Sequence, residues 1–454
     1  MASYHREPQQ VDRIETKYRR IQTDLPVPES IPILERSEQY EPRSMLGQPP
    51  IVWDKAEGFQ VYDRWGNVWL DWSAGVLVMN AGHAHPAIRE AVQEQVDKPL
   101  LATYVFMHEK RAELAELLVS LTPEKLTKVF LLSTGSEATE NTIKLARTYG
   151  IQQGGREKHV IVGFDNAFHG RTMGAQMAGG MQSQKDWIVN LDPGFISVPF
   201  PDGFHCEDRS FDLFLKTLDQ NGVDPKNIAG IIFEPFQGVG PFFMPVEYAQ
   251  QLEAFCREHD ILIICDEVQS GFGRSGKWFT FEHYGITPDL IACGKGISSS
   301  LPISAVIGRE DVMNIYKPGS MTSTHSASPL PVAAAVANIR AMQEENIVEH
   351  AAEMESVLAP SLFEIQEKYP DRIGAVNIKG LVAGMQIVKP GSKQADSDTA
   401  HAINEKCFQM GLLMFAPVGT GGQCIKIAPP LTTPEDALRE GALVLVEASD
   451  AILS

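Results

Sequence analysis

Ile261-Leu-Ile-Ile-Cys-Asp-Glu-Val-Gln269 is the stretch on which the reading of the chain turns. Its first five residues are all apolar, without the alternation of a strand that has one wet face. Such a run is a strand buried on both faces, as in a parallel sheet covered by helices. It delivers an acid, Asp266, at its C-terminal edge, where open parallel sheets bind their ligands. Taken alone, Asp266 could equally cap the next helix or pair with an arginine. Similar runs recur at Val129-Phe-Leu-Leu132, Val160-Ile-Val-Gly163, Ile231-Ile-Phe233, Leu290-Ile-Ala-Cys293 and Ser304-Ala-Val-Ile-Gly308. With helical spacing at 89–96, 109–120 and between these runs, the middle of the chain is expected to be an α/β domain with a mostly parallel sheet.

Working outward, the texture changes on both sides. The first 50 or so residues are polar and proline-bearing, with a helical pattern over 11–23 and then an irregular arm. Extended segments at 59–63 and 67–72 flank Arg64-Trp-Gly-Asn67, which carries the punctuation of a hairpin turn. Beyond 330 a long helical tract reaches Lys368, and Pro360 is expected to divide or kink it. Strand-like segments at 382–387 and 424–427 and a terminal helix from Pro434 complete a smaller α+β lobe. The expected domains are an N-terminal segment over 1–75, a large domain over 76–325 and a C-terminal small domain over 326–454.

A chain of 454 residues buries a core large enough to need neither disulfides nor metals for stability. Acidic residues outnumber basic ones 58 to 39, a net charge of -19, which disfavours nucleic acid and anionic membranes as partners. No apolar stretch is long enough to span a bilayer. The six cysteines lack paired short spacings, so no zinc site is expected, and Cys265 and Cys293 are read as reduced core residues. The opening residues have no apolar signal region, so a cytoplasmic location is expected.

Three segments carry chemistry. In Leu132-Ser-Thr-Gly-Ser-Glu137 a strand ends and an amphipathic helix starts at once, pointing free amides and the positive helix end at an anion such as a phosphate. Plain N-capping by Ser133 or Ser136 explains the same residues. Asp266 is the second element. The third is Lys295, flanked by Gly294 and Gly296 after an apolar strand. A desolvated amine there would form a Schiff base, although a lysine at a strand end is more often simply solvated. Gly271-Phe-Gly-Arg-Ser-Gly276 matches a dinucleotide fingerprint in form only, because its glycines trail the strand and no helix pattern follows. A phosphate cup, a strand-end acid and a lysine on the next strand together meet the needs of pyridoxal 5′-phosphate: an anchor, a partner for the pyridine nitrogen and an imine-forming amine.

From about residue 50 to its end the chain resembles class III, ω-type aminotransferases such as 4-aminobutyrate aminotransferases. The resemblance rests on Asp266-Glu-Val-Gln-Ser-Gly-Phe-Gly-Arg-Ser-Gly276 followed by Lys295, with Gly82-His-Ala-His-Pro86, Ala167-Phe-His-Gly-Arg-Thr172 and Glu234-Pro-Phe-Gln-Gly238 in the expected order. It implies a fold-type I pyridoxal-phosphate enzyme with a seven-stranded, mostly parallel sheet, acting as a homodimer or tetramer. By that resemblance Lys295 is the Schiff-base lysine and proton shuttle, and Asp266 the pyridine-nitrogen partner. Gln269 lies near the ring hydroxyl, Phe168 and Val268 sandwich the ring, and Glu234 belongs to the cofactor site. Gly135 and Ser136 hold the phosphate, joined by Thr324 from the partner subunit. His83 and His85 are structural in this family, so a metal reading of them is set aside.

The resemblance also places Val76, Arg171, Val239 and Lys426 around the substrate. Arg171 matches an arginine that binds a distal carboxylate. Where 4-aminobutyrate aminotransferases carry a Glu paired with a C-terminal Arg, this chain has Val239 and Lys426. A lysine cannot grip a carboxylate bidentately, so the α-carboxylate clamp is expected to be weakened or re-aimed, unless Lys426 turns outward. The donor is then an ω-amino acid like 4-aminobutyrate or an uncharged amine, including amino sugars and diamines. The acceptor is pyruvate or 2-oxoglutarate, in ping-pong chemistry. Racemases, epimerases and decarboxylases share the same lysine and aspartate and form the alternative.

Overall fold

A computed structural model describes residues 4–454. The chain divides into two compact units, Met1–His85 with Glu349–Ser454, and Pro86–Val348. The boundaries thus fall later in the sequence than the domain limits expected above. The helix Pro329–Glu344 explains the second shift, because it packs on the helices Pro86–Asp97 and Glu109–Ser120.

The Pro86–Val348 unit is built on seven strands, numbered here within their sheet. They are β1 (Leu126–Leu132), β2 (Val160–Phe164), β3 (Phe195–Val198), β4 (Ile228–Phe233), β5 (Leu262–Asp266), β6 (Leu290–Cys293) and β7 (Ser304–Arg309). Their order is β1-β7-β6-β5-β4-β2-β3. β7 runs antiparallel to both its neighbours and every other pairing is parallel. The sheet is the mostly parallel, seven-stranded one expected. Residues of β4, β5 and β6 are buried throughout, which is why their sequences are unbroken apolar runs. Burying each Ile or Leu contributes roughly 1.5–3 kcal/mol. β3, which the sequence did not reveal, is an edge strand with three of its four residues partly or fully exposed.

The other unit is α+β. One sheet joins Ile14–Glu15, Arg20–Ile21, Val68–Asp71, Gln60–Tyr62 and Lys55–Glu57, with Leu412–Leu413 pairing Val68–Asp71. The hairpin between Gln60–Tyr62 and Val68–Asp71 turns at 63–67, as read. The helix expected over 11–23 is absent; two short antiparallel strands stand there instead. A second sheet orders Ile373–Lys379, Val382–Ile387 and Cys424–Ile427, and a helix Glu435–Leu453 ends the chain. Pro360 does not divide the long helical tract: it lies inside Ile347–Lys368. The break comes at Glu345–Asn346, where Asn346 takes φ +53°, a left-handed conformation that asparagine tolerates.

Candidate active site

Five parallel strands end on one side of the sheet, and each delivers part of a single cavity of about 180 Å³. β1 leads to Thr134, Gly135 and Ser136; β2 to Phe168, His169 and Gly170; β4 to Glu234; β5 to Asp266, Val268 and Gln269; β6 to Lys295. Eight of the nine residues expected at the cofactor therefore line it. Thr324, the ninth, is exposed elsewhere in the same unit. A larger hollow of about 260 Å³ among the helices 86–97, 109–120 and 329–344 contains none of them.

The anion end is capped by Thr134, not by Ser133 or Ser136. Thr134 Oγ1 accepts from the Glu137 N–H at 3.3 Å, and the Glu137 carboxylate accepts from the Ser133 and Thr134 amides at 2.9 Å. This capping box leaves the Gly135 and Ser136 amides in the first helical turn, where no intrahelical acceptor exists. A Cβ on Gly135 would lie 2.6 Å from Val268 Cγ1, so only glycine permits this approach of helix and β5 loop. Gly170, at φ +127°, could carry no side chain either, since a Cβ would overlap Ser136 Oγ.

Asp266 accepts from the Val268 N–H at Oδ1 (3.0 Å), while Oδ2 lies 2.7 Å from His169 Nδ1. Glu234 accepts from the Phe168 and Gly238 amides, both at 2.9 Å, and so ties two loops together. Burial pushes the Glu234 carboxyl up to about 7, against the opposing charge of His169. Lys295, half-buried, is pulled below the usual lysine range by desolvation, partly countered by Asp266 and Glu234. It takes φ +43°, between Gly294 and Gly296, a strained conformation for a residue with a side chain. Its loop is pinned from behind by Asn338, whose Nδ2 donates to the Gly296 and Ile297 carbonyls at 2.9 and 3.0 Å. Neither His169 nor Asn338 had been singled out. His169 stands beside the quoted Phe168, but its partner is 97 residues away; Asn338 sits in an alanine-rich helix with no motif.

The residues expected at the substrate are dispersed. Arg171, exposed, donates its backbone N–H to Ser136 Oγ at 3.4 Å, while its guanidinium donates to Gln184 Oε1 at 3.2 Å and lies 5.5 Å from the Phe168 ring centroid. Val239 is half-buried just past Gly238. Val76 and Lys426 belong to the other unit. Lys426 does not turn outward: it is only 2% exposed, in the wholly buried strand Cys424–Ile427. Val76 is 47% exposed in a turn whose four residues, Ala74 to Leu77, have φ of +46°, +56°, +64° and +62°. His83 Nε2 lies 2.6 Å from Asp71 Oδ2, and no described cluster of His, Cys, Asp and Glu suits a metal. Gly271–Gly276 forms a buried turn followed by no α-helix, so the fingerprint reading fails in space as well.

An anion-binding helix end, a strand-end carboxylate and a desolvated lysine share one cavity, which fits pyridoxal 5′-phosphate. The chain matches the family "Aminotransferase class-III" over residues 43–448. A probable 4-aminobutyrate aminotransferase of Bacillus subtilis is 33% identical, covering 86% of this chain and 91% of its own. An alanine/serine racemase of Pyrococcus horikoshii is also 33% identical, over 88% of this chain and 85% of its own. The crystal structure of a Bacillus anthracis aminotransferase superposes with a TM-score of 0.83 at 27% identity, over 93% of this chain and 99% of that one. The chain belongs to the class III aminotransferases. It is a pyridoxal-phosphate-dependent transaminase with the fold-type I architecture, passing an amino group from an amine donor to a 2-oxo acid. Among the described residues no helix is long and apolar enough to cross a membrane.

Proposed function

We propose that the cavity at the five strand ends holds the cofactor and that the donor is an ω-amino acid or an uncharged amine. The observation that carries this reading is the convergence of Gly135–Ser136, Asp266 and Lys295 on one cavity. Gly135 and Ser136 hold the phosphate with first-turn amides and a hydroxyl, and Thr324 of the partner subunit joins them in a homodimer. Asp266 would hold the pyridine nitrogen, Gln269 the ring hydroxyl, and Phe168 and Val268 the ring itself, with Glu234 fixing the Phe168 loop. Lys295 would hold the cofactor covalently through Nζ. Pyridoxal phosphate, when bound, supplies an electron sink for the carbanion left when a bond to the substrate Cα breaks.

The chain's own residues do the rest. Desolvation lowers the Lys295 pKa and so favours the neutral amine more than in an ordinary lysine, and Nζ is the atom that would take a proton from the substrate carbon and hand it on. Asp266, held by contacts on both oxygens, presents a side chain fixed in orientation. An ω-amino acid donor is supported by the relative named for 4-aminobutyrate and by the exposed Arg171 guanidinium beside the Phe168 ring, where it could meet a distal carboxylate. Uncharged amines are supported by Lys426 and Val239, which replace a bidentate clamp. Six free cysteines, five of them buried, are in keeping with the reducing cytoplasm.

The test is visible absorbance of the purified protein loaded with pyridoxal 5′-phosphate, followed through a panel of ω-amino acids and amines and then pyruvate or 2-oxoglutarate. Loss of the cofactor band with a donor and its recovery with an oxo acid are expected. A band that persists while an added amino acid racemises would contradict the reading.

A further inference from the structure

The three-stranded sheet of the α+β unit carries a polar face. Its strands Ile373–Lys379, Val382–Ile387 and Cys424–Ile427 are antiparallel, so residues directly opposite one another point the same way. Asn377, Gly384 and Lys426 form one such row, and Ala375, Gln386 and Cys424 the next. The two rows share a face, because Gly384 and Gln386 are two residues apart on one strand. Three polar side chains, Asn377, Gln386 and Lys426, are thereby grouped around a glycine that puts no side chain between them.

Burial makes this grouping costly. Gln386 is only 1% exposed, and neither its Oε1 nor its Nε2 meets a hydrogen-bond partner among the described residues. Asn377 Nδ2 is buried without one as well. Directly across from Gln386 stands Cys424, a weak partner whose thiol burial pushes up to about 12, with Lys426 and Gln386 acting on it the other way. A leucine would fill the same volume with no amide to leave unpaired, so an amide kept here points to a group that arrives from outside. The chemistry of that group follows from counting donors and acceptors. The face offers one acceptor, Gln386 Oε1, and donors from Gln386, Asn377 and Lys426. A carboxylate only accepts and would leave Oε1 unpaired. An ammonium only donates and would leave the amide N–H groups unpaired. A hydroxyl or a carboxamide does both, and serves both ends of the Gln386 amide.

We propose that Gln386, with Asn377 and Lys426 beside it, is a specificity-determining residue of the transaminase: it selects amine donors that carry a neutral hydroxyl or carboxamide group over donors that end in a carboxylate, an ammonium or a methyl. The proposal deepens the reading of uncharged amines as donors and rests on the assignment of Lys426 to the substrate. It bears on the ratio between donors, which a merely structural role of Gln386 would not move.

The experiment compares linear primary amines of matched length that end in hydroxyl, carboxamide, methyl, ammonium or carboxylate, at several lengths and with 4-aminobutyrate among them. Loss of the cofactor band in the loaded enzyme gives a specificity constant for each. In the parent, the hydroxyl- or carboxamide-ended amine is expected to exceed its methyl-ended match about 10- to 100-fold, because the methyl leaves the buried amide unpaired. Gln386→Leu is expected to bring that ratio close to one, and to be at least as stable as the parent in urea unfolding without substrate. Should the leucine variant fail to fold, Gln386→Ala, which is smaller, reads the same ratio. A parent without the preference, or a folded variant that keeps it, would overturn the proposal. A band that responds to 4-aminobutyrate but to no neutral-ended amine would overturn it too, while leaving the ω-amino acid reading standing. A band that responds to no amine at all would sink the donor reading itself, and this proposal with it.

Discussion

The cofactor cavity and the region around Val76 are held in place by different means. Every cavity residue follows the C-terminal end of a strand in one sheet, so its position is set by ladder hydrogen bonds and by a core that is almost wholly buried. Val76 sits instead on a turn of four left-handed residues, two of them, Val76 and Leu77, large apolar side chains for which that conformation is costly. That turn starts from a polar anchor. Asp71 accepts from the Ser73 amide at 2.8 Å and from its hydroxyl at 2.6 Å, with His83 on its other oxygen, and Ser73 Oγ accepts in turn from the Gly75 N–H. The sheet-end site is braced by a sheet, whereas the turn is held by local backbone hydrogen bonds, the buried Ala74 and Leu77 and one buried acid. Chemistry common to a whole family suits the first arrangement, and substrate preference, which differs between members, suits the second.

The largest expected effect lies on the sheet-end side. Asp266→Asn keeps the shape and removes the charge, and should cut turnover with saturating cofactor about 10²- to 10³-fold in single-turnover kinetics. If it leaves turnover within a few-fold, the rigid site does not work through that charge. Asn338→Leu deletes both hydrogen bonds to the lysine loop and leaves two carbonyls unpaired. It should cost about 1–3 kcal/mol in urea unfolding and slow turnover as Lys295 loses its strained placement. A variant equally stable and active would show that the loop does not need its brace.

Glu267 tests how much of this rigidity depends on protonation. It is buried behind Asp266, accepts from the Phe281 amide at 2.9 Å and from the Ser270 hydroxyl, and burial raises its carboxyl to about 7. Because the folded value lies above the unfolded one, the folded state holds the extra proton. Its stabilising contribution is full below about 4.5 and is lost as pH rises through about 7. Glu267→Gln should flatten that part of the stability-against-pH curve by about 1–3 kcal/mol, and an unchanged slope would contradict the assignment. The smallest effect is expected in the other unit. Lys426→Arg should raise the preference for a donor with a carboxylate on the reacting carbon, an α-amino acid, over 4-aminobutyrate a few-fold in kcat/KM; an unchanged ratio would remove Lys426 from substrate selection.

The same contrast governs what could be read without coordinates. Asp266 and Lys295 were legible because a strand buried on both faces writes itself as an apolar run, and the residue that ends the run is conspicuous. The helix at Gly135 was legible for the same reason, though its cap was not: Ser133, Thr134 and Ser136 are chemically alike, and the Glu137 side chain selects Thr134. His169 and Asn338 were hidden because their partners are distant in sequence. The segment 11–23 looked helical, but residues 14–15 and 20–21 pair as strands, and Arg20 pairs with Val68, which no local pattern announces. Lys426 had two readings, a clamp or an outward charge, and only the burial of its strand on the 373–387 hairpin excluded the second. The left-handed turn at Ala74–Leu77 contains one glycine, too little to announce four such residues in a row.

The central claim is that Lys295, at the end of β6, is the amine that carries the cofactor. Borohydride reduction of the loaded enzyme, followed by digestion and peptide mass spectrometry, tests it directly. The account predicts one modified peptide, with the pyridoxyl group on Lys295. A label on another lysine, such as Lys185, or no label on a protein that binds the cofactor, would contradict it.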